Sequence, residues 1–396
     1  MNILEGKKII IGVTGSIAAY KIAALCSMLK KKNADITVIM TKNAQNFINP
    51  ITFETLTGNK CLTDTFDRNF EFNVEHVELS KCADAILIAP ASANVIAKAA
   101  HGIADDMLTT TLLACTCPKL ISPAMNTRMY QNPITQDNIA TLKKYGMQLI
   151  SPASGYLACG DVGEGKMPEP EELLDNLIYA LYKKDLAGKN ILITAGPTRE
   201  KIDPVRYITN NSTGKMGFSL AKMAYYRGAN VTLVSGITKE LPPKGPKLIE
   251  IESASDMAEA VKSKAPDMDI IIKAAAVADY RPSVVYDQKV KKSDSEMSIP
   301  LERTEDILAF LGKNKKSSQI LCGFSMETEN MIENSKIKLE KKNLDMIVAN
   351  NLKTEGAGFG TDTNVVTIIS KDDIIELPKM SKDDVANAIL DKILHI

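Results

Sequence analysis

Residues 8–21, KIIIGVTGSIAAYK, decide the fold. The run KKIIIGV (7–13) is a continuous apolar stretch of strand length, as expected of a parallel strand buried on both faces, and a Gly-Ser turn follows it. From about Ile17 to Lys32 the apolar residues recur at helical spacing, and DITVIM (35–40) is again a strand. Strand, helix, strand is the opening of a doubly wound sheet. A near copy starts at KNILITAGPT (189–198), passes through a polar insertion, and continues as a helix at GKMGFSLAKMAYYRGA (214–229) and a strand at NVTLVSG (230–236). The chain begins twice.

Between the two openings, ADAILIAPAS (83–92) and PKLISPAMN (118–126) are strands ending in polar loops, and ITQDNIATLKKYG (134–146) is a helix closed by Gly146. ELLDNLIYALYKKDLAGK (172–189) reads as a helix ending in a basic turn and Gly188, which puts the domain boundary between 187 and 188. In the second half DIIIKAAAVADY is a strand running into a loop, Arg281 to Glu296 is charged and strand-poor, and QILCGFSME, DMIVAN and NVVTIIS are strands. The expected architecture is α/β, with two doubly wound, Rossmann-like domains at 1–187 and 188–396. At 396 residues the chain exceeds the ~250–300 at which a single core stops growing, so two domains also follow from length.

Lysine plus arginine balance aspartate plus glutamate at 48 each, which leaves no net field to hold nucleic acid or an anionic membrane. No apolar run reaches the ~20 residues of a membrane span, and the polar lead MNILEG is unlike a secretion signal, so a cytoplasmic location is expected. Seven scattered cysteines do not form a disulfide framework, and Cys115 and Cys117, with no second pair and no nearby histidine, read as core thiols rather than zinc ligands.

The turn GVTGSIAAYK joins a strand to a helix, where free backbone N–H groups and the helix dipole attract an anion. It is not GxGxxG, and the second strand runs into Thr41, Lys42 and Asn43 rather than the ribose-binding acid of a dinucleotide site, so a monophosphate such as FMN fits better. Of the three histidines, His395 is next to the end, His101 closes a helix in KAAHG, and His76 stands before an alternating, strand-like segment where it can serve a ligand or the core. Asn126 follows a strand directly. Cys159 lies in SGYLACGDVGEGKMPEP, a glycine-rich, proline-ended stretch with the character of a lid, where a thiol is either a proton donor or idle.

These segments, in order GxTGSIAAYK, the His76 stretch, APASANVIAKAAHGIADDMLTT, PAMNxxM and ACGDVGEGKMPEP, resemble the flavin-dependent phosphopantothenoylcysteine decarboxylases. The resemblance implies FMN held by Gly15, Ser16, Thr41, Ser92 and Asn94, and oxidation of the substrate's cysteine thiol to a thioaldehyde that makes loss of the adjacent carboxylate feasible. It also implies a catalytic His76, an Asn126 that holds the substrate carboxylate, and a Cys159 that protonates the enethiol. Tyr130 stands where that family often has tryptophan, and keeps an aromatic ring.

The second opening, ITAGPTREKIDPVRYITNNSTGKMG, places Ser212, Thr213, Gly214 and Lys215 at a helix start, yet GxxxxGK[ST] is absent and ordinary capping explains the hydroxyls equally well. Asp279 ends AAAVADY, Lys289, Lys291 and Lys292 follow it, and Lys338 and Lys342 lie four apart on one helical face. Lysines of this kind neutralise a triphosphate or simply solvate a surface. With KxKK, x-D-I-L, GFxxET and KNLD in order, this half resembles the CTP-using bacterial phosphopantothenate-cysteine ligases, and the whole chain the fused bifunctional proteins of coenzyme A biosynthesis.

The ligase resemblance implies attack of the 4'-phosphopantothenate carboxylate on CTP, an acyl-cytidylate on which Asn210 acts, charge stabilisation by Lys289, and capture by the amine of L-cysteine. The nucleotide residues it implies are Lys273, Ala274, Ala275, Asp279, Lys289, Glu305, Asp306, Ile307, Leu308, Phe324, Lys338 and Lys342, with Mg2+ on the phosphates and metal ligands unassigned. Glu305 replaces a common proline and GFSMETE a common GFAAETE. The resulting 4'-phosphopantothenoylcysteine would then feed the first half, in a homo-oligomer of flavin-domain trimers and ligase-domain dimers. Two other readings are weaker on the residues: a flavin-binding regulatory subunit, against which His76, Asn126 and Cys159 together argue, and a nicotinamide-dependent reductase, which lacks GxGxxG and the ribose-binding acid.

Overall fold

The computed structural model describes residues 2–66, 75–156, 160, 162–291, 298–327, 330–351, 358 and 360–396. The chain forms two compact units, Met1–Tyr182 and Lys183–Ile396. Among the described residues no helix is long and apolar enough to cross a membrane.

The first unit is a five-stranded parallel sheet of β1 (Lys8–Val13), β2 (Asp35–Met40), β3 (Ala85–Ala91), β4 (Lys119–Pro123) and β5 (Gln148–Leu149), in the order β2-β1-β3-β4-β5. The unbroken apolar run of β1 is explained by alternation between two cores. Ile9, Ile11 and Val13 pack with Ile22, Leu25 and Leu29 of the Tyr20–Lys31 helix and with Leu173 and Leu177 of the Pro170–Leu181 helix. Ile10 faces the other way, toward Ile86, Val95, Leu108, Leu112 and Ile139. Each such side chain stabilises the unit by about 1.5–3 kcal/mol through burial, so truncating β1 would cost both cores at once.

The second unit carries an eight-stranded sheet of β6 (Asn190–Ala195), β7 (Asn230–Gly236), β8 (Lys247–Ile251), β9 (Ile270–Lys273), β10 (Ile320–Glu327), β11 (Met346–Asn351), β12 (Val366–Ser370) and β13 (Ile374–Glu376). Their order is β8-β7-β6-β9-β10-β11-β12-β13, parallel up to β11 and antiparallel beyond it. Both units are therefore doubly wound, as read. In each, the first strand sits beside a strand from later in the chain, and the strand order reverses there: between β1 and β3, and between β6 and β9. A crevice opens at such a switch point, outside the carboxyl ends of the strands.

Five local readings are corrected. His76 does not precede a strand; Glu75–Cys82 is a helix, in which Ser80 Oγ donates to the Val77 carbonyl, and an apolar alternation of a few residues cannot tell the two apart. The Pro170–Leu181 helix stops before the basic turn, because Leu186 is buried in the second unit and Asp185 pairs with Arg227 at 2.9 Å. Within the stretch called strand-poor, Tyr280–Pro282 pairs antiparallel with Leu301–Arg303. Of the two thiols read as core, Cys115 is buried but Cys117 is only half-buried. The glycine-rich segment before Pro170 is a two-stranded antiparallel ribbon, Ala153–Tyr156 against Val162–Lys166, instead of an irregular loop.

Candidate active sites

In the first unit, Gly15 and Ser16 leave the end of β1, Thr41 the end of β2, and Ser92 and Asn94 the end of β3, so all five sequence candidates lie around the β1/β3 switch point. Ser16 caps the helical turn Ile17–Ala19 by accepting from the Ala18 amide, and Ser92 caps the Ala93–His101 helix by accepting from Val95 at 3.4 Å. Two helix starts thus lie at one switch point, and a helix start suits an anion. A Cβ on Gly15 would come within 2.9 Å of the Asn43 Cβ, so the loop after β1 needs glycine to lie this close to the loop after β2. The cradle fits a monophosphate bound through backbone N–H groups, and FMN is such a ligand.

Asn126, at the end of β4, caps the short Thr127–Tyr130 helix by accepting from the Arg128 amide at 2.8 Å. The ribbon is stitched to this turn: the Met125 amide donates to the Gly165 carbonyl at 3.1 Å, and a Cβ on Gly165, at φ +124°, would sit 2.4 Å from the Met125 oxygen. His76 is half-buried on its helix. His101 contacts Asn138 Oδ1 at 3.1 Å, a structural partnership. Cys159 lies outside the described residues.

In the second unit, a cleft of about 430 Å³ opens at the β6/β9 switch point. It brings together Asn210, Lys273, Ala274, Ala275, Asp279, Glu305, Asp306, Ile307, Leu308, Phe324, Lys338 and Lys342 from five segments of the chain. The loop after β9 is pinned by hydroxyl groups: Ala275 N–H donates to Thr194 Oγ1 and Ala278 N–H to Thr198 Oγ1, both at 3.1 Å, while Thr304 Oγ1 donates to the Ala278 carbonyl at 2.6 Å. Asn210 Nδ2 donates to the Ala276 carbonyl at 3.1 Å, which fixes its side chain at the mouth of the loop.

The lining of the cleft carries charges of both signs. Lys342 pairs with Asp306 at 2.8 Å, and Asp306 also caps the Ile307–Asn314 helix through the Ala309 amide. Burial alone would raise the Asp306 carboxyl, but the Lys342 hydrogen bond and the Ala309 amide outweigh it and hold the group below the usual carboxylate range. Burial pushes Lys273 down to about 8, against the opposing pull of Asp306. Glu305, where proline is common in the resembling ligases, pairs with Lys262 at 2.5 Å and so turns away from a purely apolar role.

Lys289 does not line the cleft: it is exposed, on a segment held by Val290, whose amide donates to Asp203 Oδ2 at 3.2 Å and whose carbonyl accepts from Arg206 at 3.1 Å. The cleft is also lined by residues the sequence did not single out, among them Met216, Asn350, Asn364 and the buried Lys382. Lys215, at the P-loop-like position, is engaged by Asp362 at 2.8 Å and Glu240 at 3.4 Å. Among the described residues no group of three or more His, Cys, Asp or Glu side chains is arranged to hold a metal.

The family described as Flavoprotein matches residues 2–181, and that described as DNA/pantothenate metabolism flavoprotein C-terminal domain matches residues 186–396. The coenzyme A biosynthesis bifunctional protein CoaBC of Bacillus subtilis (strain 168) is 49% identical over 395 residues, which cover 98% of this chain and 97% of that protein. The chain belongs to this bifunctional family. Its namesake in Vibrio vulnificus (strain YJ016) is 46% identical over 395 residues, covering 99% of this chain and 98% of that one. Among solved structures, the C-terminal domain of CoaBC is 48% identical and covers 52% of this chain and 95% of that chain, with a TM-score of 0.46. The protein is accordingly a bifunctional enzyme of coenzyme A biosynthesis, with a decarboxylase-type flavoprotein unit followed by a ligase unit.

Proposed function

We propose that the second unit joins L-cysteine to 4'-phosphopantothenate with CTP as the activating nucleotide, and that the first unit, with FMN, decarboxylates the 4'-phosphopantothenoylcysteine so formed to 4'-phosphopantetheine. The observation that carries the ligase half is the switch-point cleft, whose lining includes Lys273, Lys338 and Lys342. A substrate carboxylate oxygen attacks the α-phosphorus of CTP, the bond to pyrophosphate breaks, and the lysines neutralise the charge that leaves. The amine of cysteine then attacks the acyl carbon and CMP departs. Asn210, fixed through Ala276, orients the acyl-cytidylate, and Lys289 reaches the cleft from its exposed segment to stabilise developing charge. Ala274, Ala275, Asp279, Glu305 to Leu308 and Phe324 enclose the nucleotide. Mg2+ arrives with the triphosphate, in keeping with its habit of binding through substrate phosphates and few protein ligands.

In the first unit Gly15, Ser16, Thr41, Ser92 and Asn94 hold FMN at the β1/β3 switch point. Bound there, FMN supplies the two-electron oxidation of the substrate thiol and returns the electrons after carboxylate loss. Asn126 orients the departing carboxylate, His76 stands beside cofactor and substrate, and Cys159 donates the proton that completes the product. The enzyme works in the cytoplasm as an assembly of flavin-unit trimers and ligase-unit dimers. Incubation with 4'-phosphopantothenate, cysteine and magnesium, plus CTP, ATP or no nucleotide, tests the reading by mass spectrometry. Formation of 4'-phosphopantetheine with CTP alone supports it; product formed equally with ATP contradicts the nucleotide assignment, and no product with either contradicts the ligase.

A further inference from the structure

Thr14 is fully buried at the carboxyl end of β1, and its hydroxyl makes two hydrogen bonds across the switch point. It donates to the Pro90 carbonyl at 2.7 Å and accepts from the Ser92 amide at 2.9 Å. The Ser16 amide in turn donates to Thr14's own carbonyl at 2.9 Å. One side chain therefore ties the loop that carries Gly15 and Ser16 to the loop that carries Ser92 and Asn94. Both helix starts of the crevice hang from it. A hydroxyl is the smallest group that can donate and accept at once, and the β-branched methyl restricts the rotamers it can reach.

The second unit repeats the device at its own switch point. Thr194, at the end of β6, and Thr198, just after it, both fully buried, accept from the Ala275 and Ala278 amides of the loop after β9. The flanking residues differ between the units, so the shared feature is the bridge itself: a buried threonine from the first strand cross-bracing the loop after its later neighbour.

We propose that Thr14 is a positioning residue that sets the spacing of the two phosphate-facing helix starts, and so gives the first unit its preference for a phosphorylated flavin over an unphosphorylated one. This rests on the FMN reading of the crevice. The isoalloxazine ring is common to FMN and riboflavin, so an effect carried by the phosphate-facing helix starts separates the two ligands.

The test compares FMN and riboflavin binding to the full chain, freed of flavin, by quenching of flavin fluorescence. Thr14→Val keeps the shape and leaves the Pro90 and Ser92 groups without their partner. The expected result is an FMN Kd raised about tenfold or more while the riboflavin Kd moves less than about threefold, with Thr14→Ser restoring most of the FMN affinity. Equal weakening of both flavins, or an unchanged FMN Kd in Thr14→Val, would overturn the proposal. Wild-type protein supplies an independent readout: the Ser92 amide should exchange slowly with solvent in the flavin-free state, and exchange at an open-loop rate would overturn it even if the valine variant does not fold. Wild type that binds neither flavin would sink the FMN reading as well, whereas wild type that prefers FMN beside a valine variant that still does would sink only the role of Thr14.

Discussion

Gly312 offers the most discriminating perturbation of the ligase cleft. It lies in the Ile307–Asn314 helix, and a Cβ there would sit 1.8 Å from the Lys342 carbonyl oxygen and 2.8 Å from its carbon. Ordinary C···O contacts lie at about 3.3 Å, so Gly312→Ala forces the two segments apart by roughly 1.5 Å. The segment that moves is the one that presents Lys342 to Asp306 at 2.8 Å, and it is tied a second time by Asn343, whose Nδ2 donates to the Gly312 carbonyl at 2.9 Å. Two stability terms oppose each other. Alanine in a helix interior gains about 1 kcal/mol over glycine, and overpacking costs about 1–3 kcal/mol, leaving a net loss of about 0–2 kcal/mol and a fall in Tm of no more than about 8 °C. The catalytic effect should be larger, because a displacement of about 1 Å in a charge-positioning group can cost up to about a hundredfold. Steady-state kinetics should show kcat/KM for the nucleotide down about tenfold to a hundredfold, with decarboxylation of supplied 4'-phosphopantothenoylcysteine unchanged. A variant that is more stable by about 1 kcal/mol with nucleotide kinetics within twofold of wild type would refute the reasoning.

The same geometry yields further expectations. Lys273, held near 8 by burial, loses its proton in the folded state well before an unfolded lysine would, so the second unit should gain stability as pH rises from about 8 toward 10.5. Nucleotide affinity should run the other way, weakening as pH rises through about 8; titration calorimetry at several pH values checks this, and Lys273→Met should abolish that dependence. Gly165→Ala should push the ribbon off the Asn126 turn and stop decarboxylation while ligation continues, read as accumulating 4'-phosphopantothenoylcysteine. Thr198→Val should raise the KM for the nucleotide about fivefold to tenfold with little change in FMN content, since it frees the Ala278 amide in one unit only. Asp203→Ala releases the Val290 amide that anchors the Lys289 segment, and should lower kcat with the nucleotide Kd nearly unchanged, measured by ligase kinetics and direct binding.

The parallel strands were legible because burial on both faces leaves an apolar run that no surface element shows, and β1, β2, β7 and β11 lie where those runs do. β8 was not: in KLIEI only Ile251 is buried, and an edge strand with charged, exposed positions carries no such run. The His76 helix was misread because it spans only eight residues, too few for a helical period to separate from alternation. The cleft was half legible. Loops at the ends of β6 and β9 carry their residues in contiguous motifs, whereas Asn364 and Lys382 enter from elements far along the chain and are placed by sheet closure, which local pattern does not encode. Gly312 and Thr14 likewise act through contacts with Lys342 and Ser92 that only the packed structure reveals.

The central claim is that one chain ligates first and decarboxylates second. L-Cysteine labelled with carbon-13 at its carboxylate tests it directly, with labelled CO2 measured by mass spectrometry in the presence and absence of 4'-phosphopantothenate and CTP. The account predicts one labelled CO2 for each 4'-phosphopantetheine formed, and only when both co-substrates are present. Labelled CO2 released without 4'-phosphopantothenate, or none released with the full mixture, would contradict it.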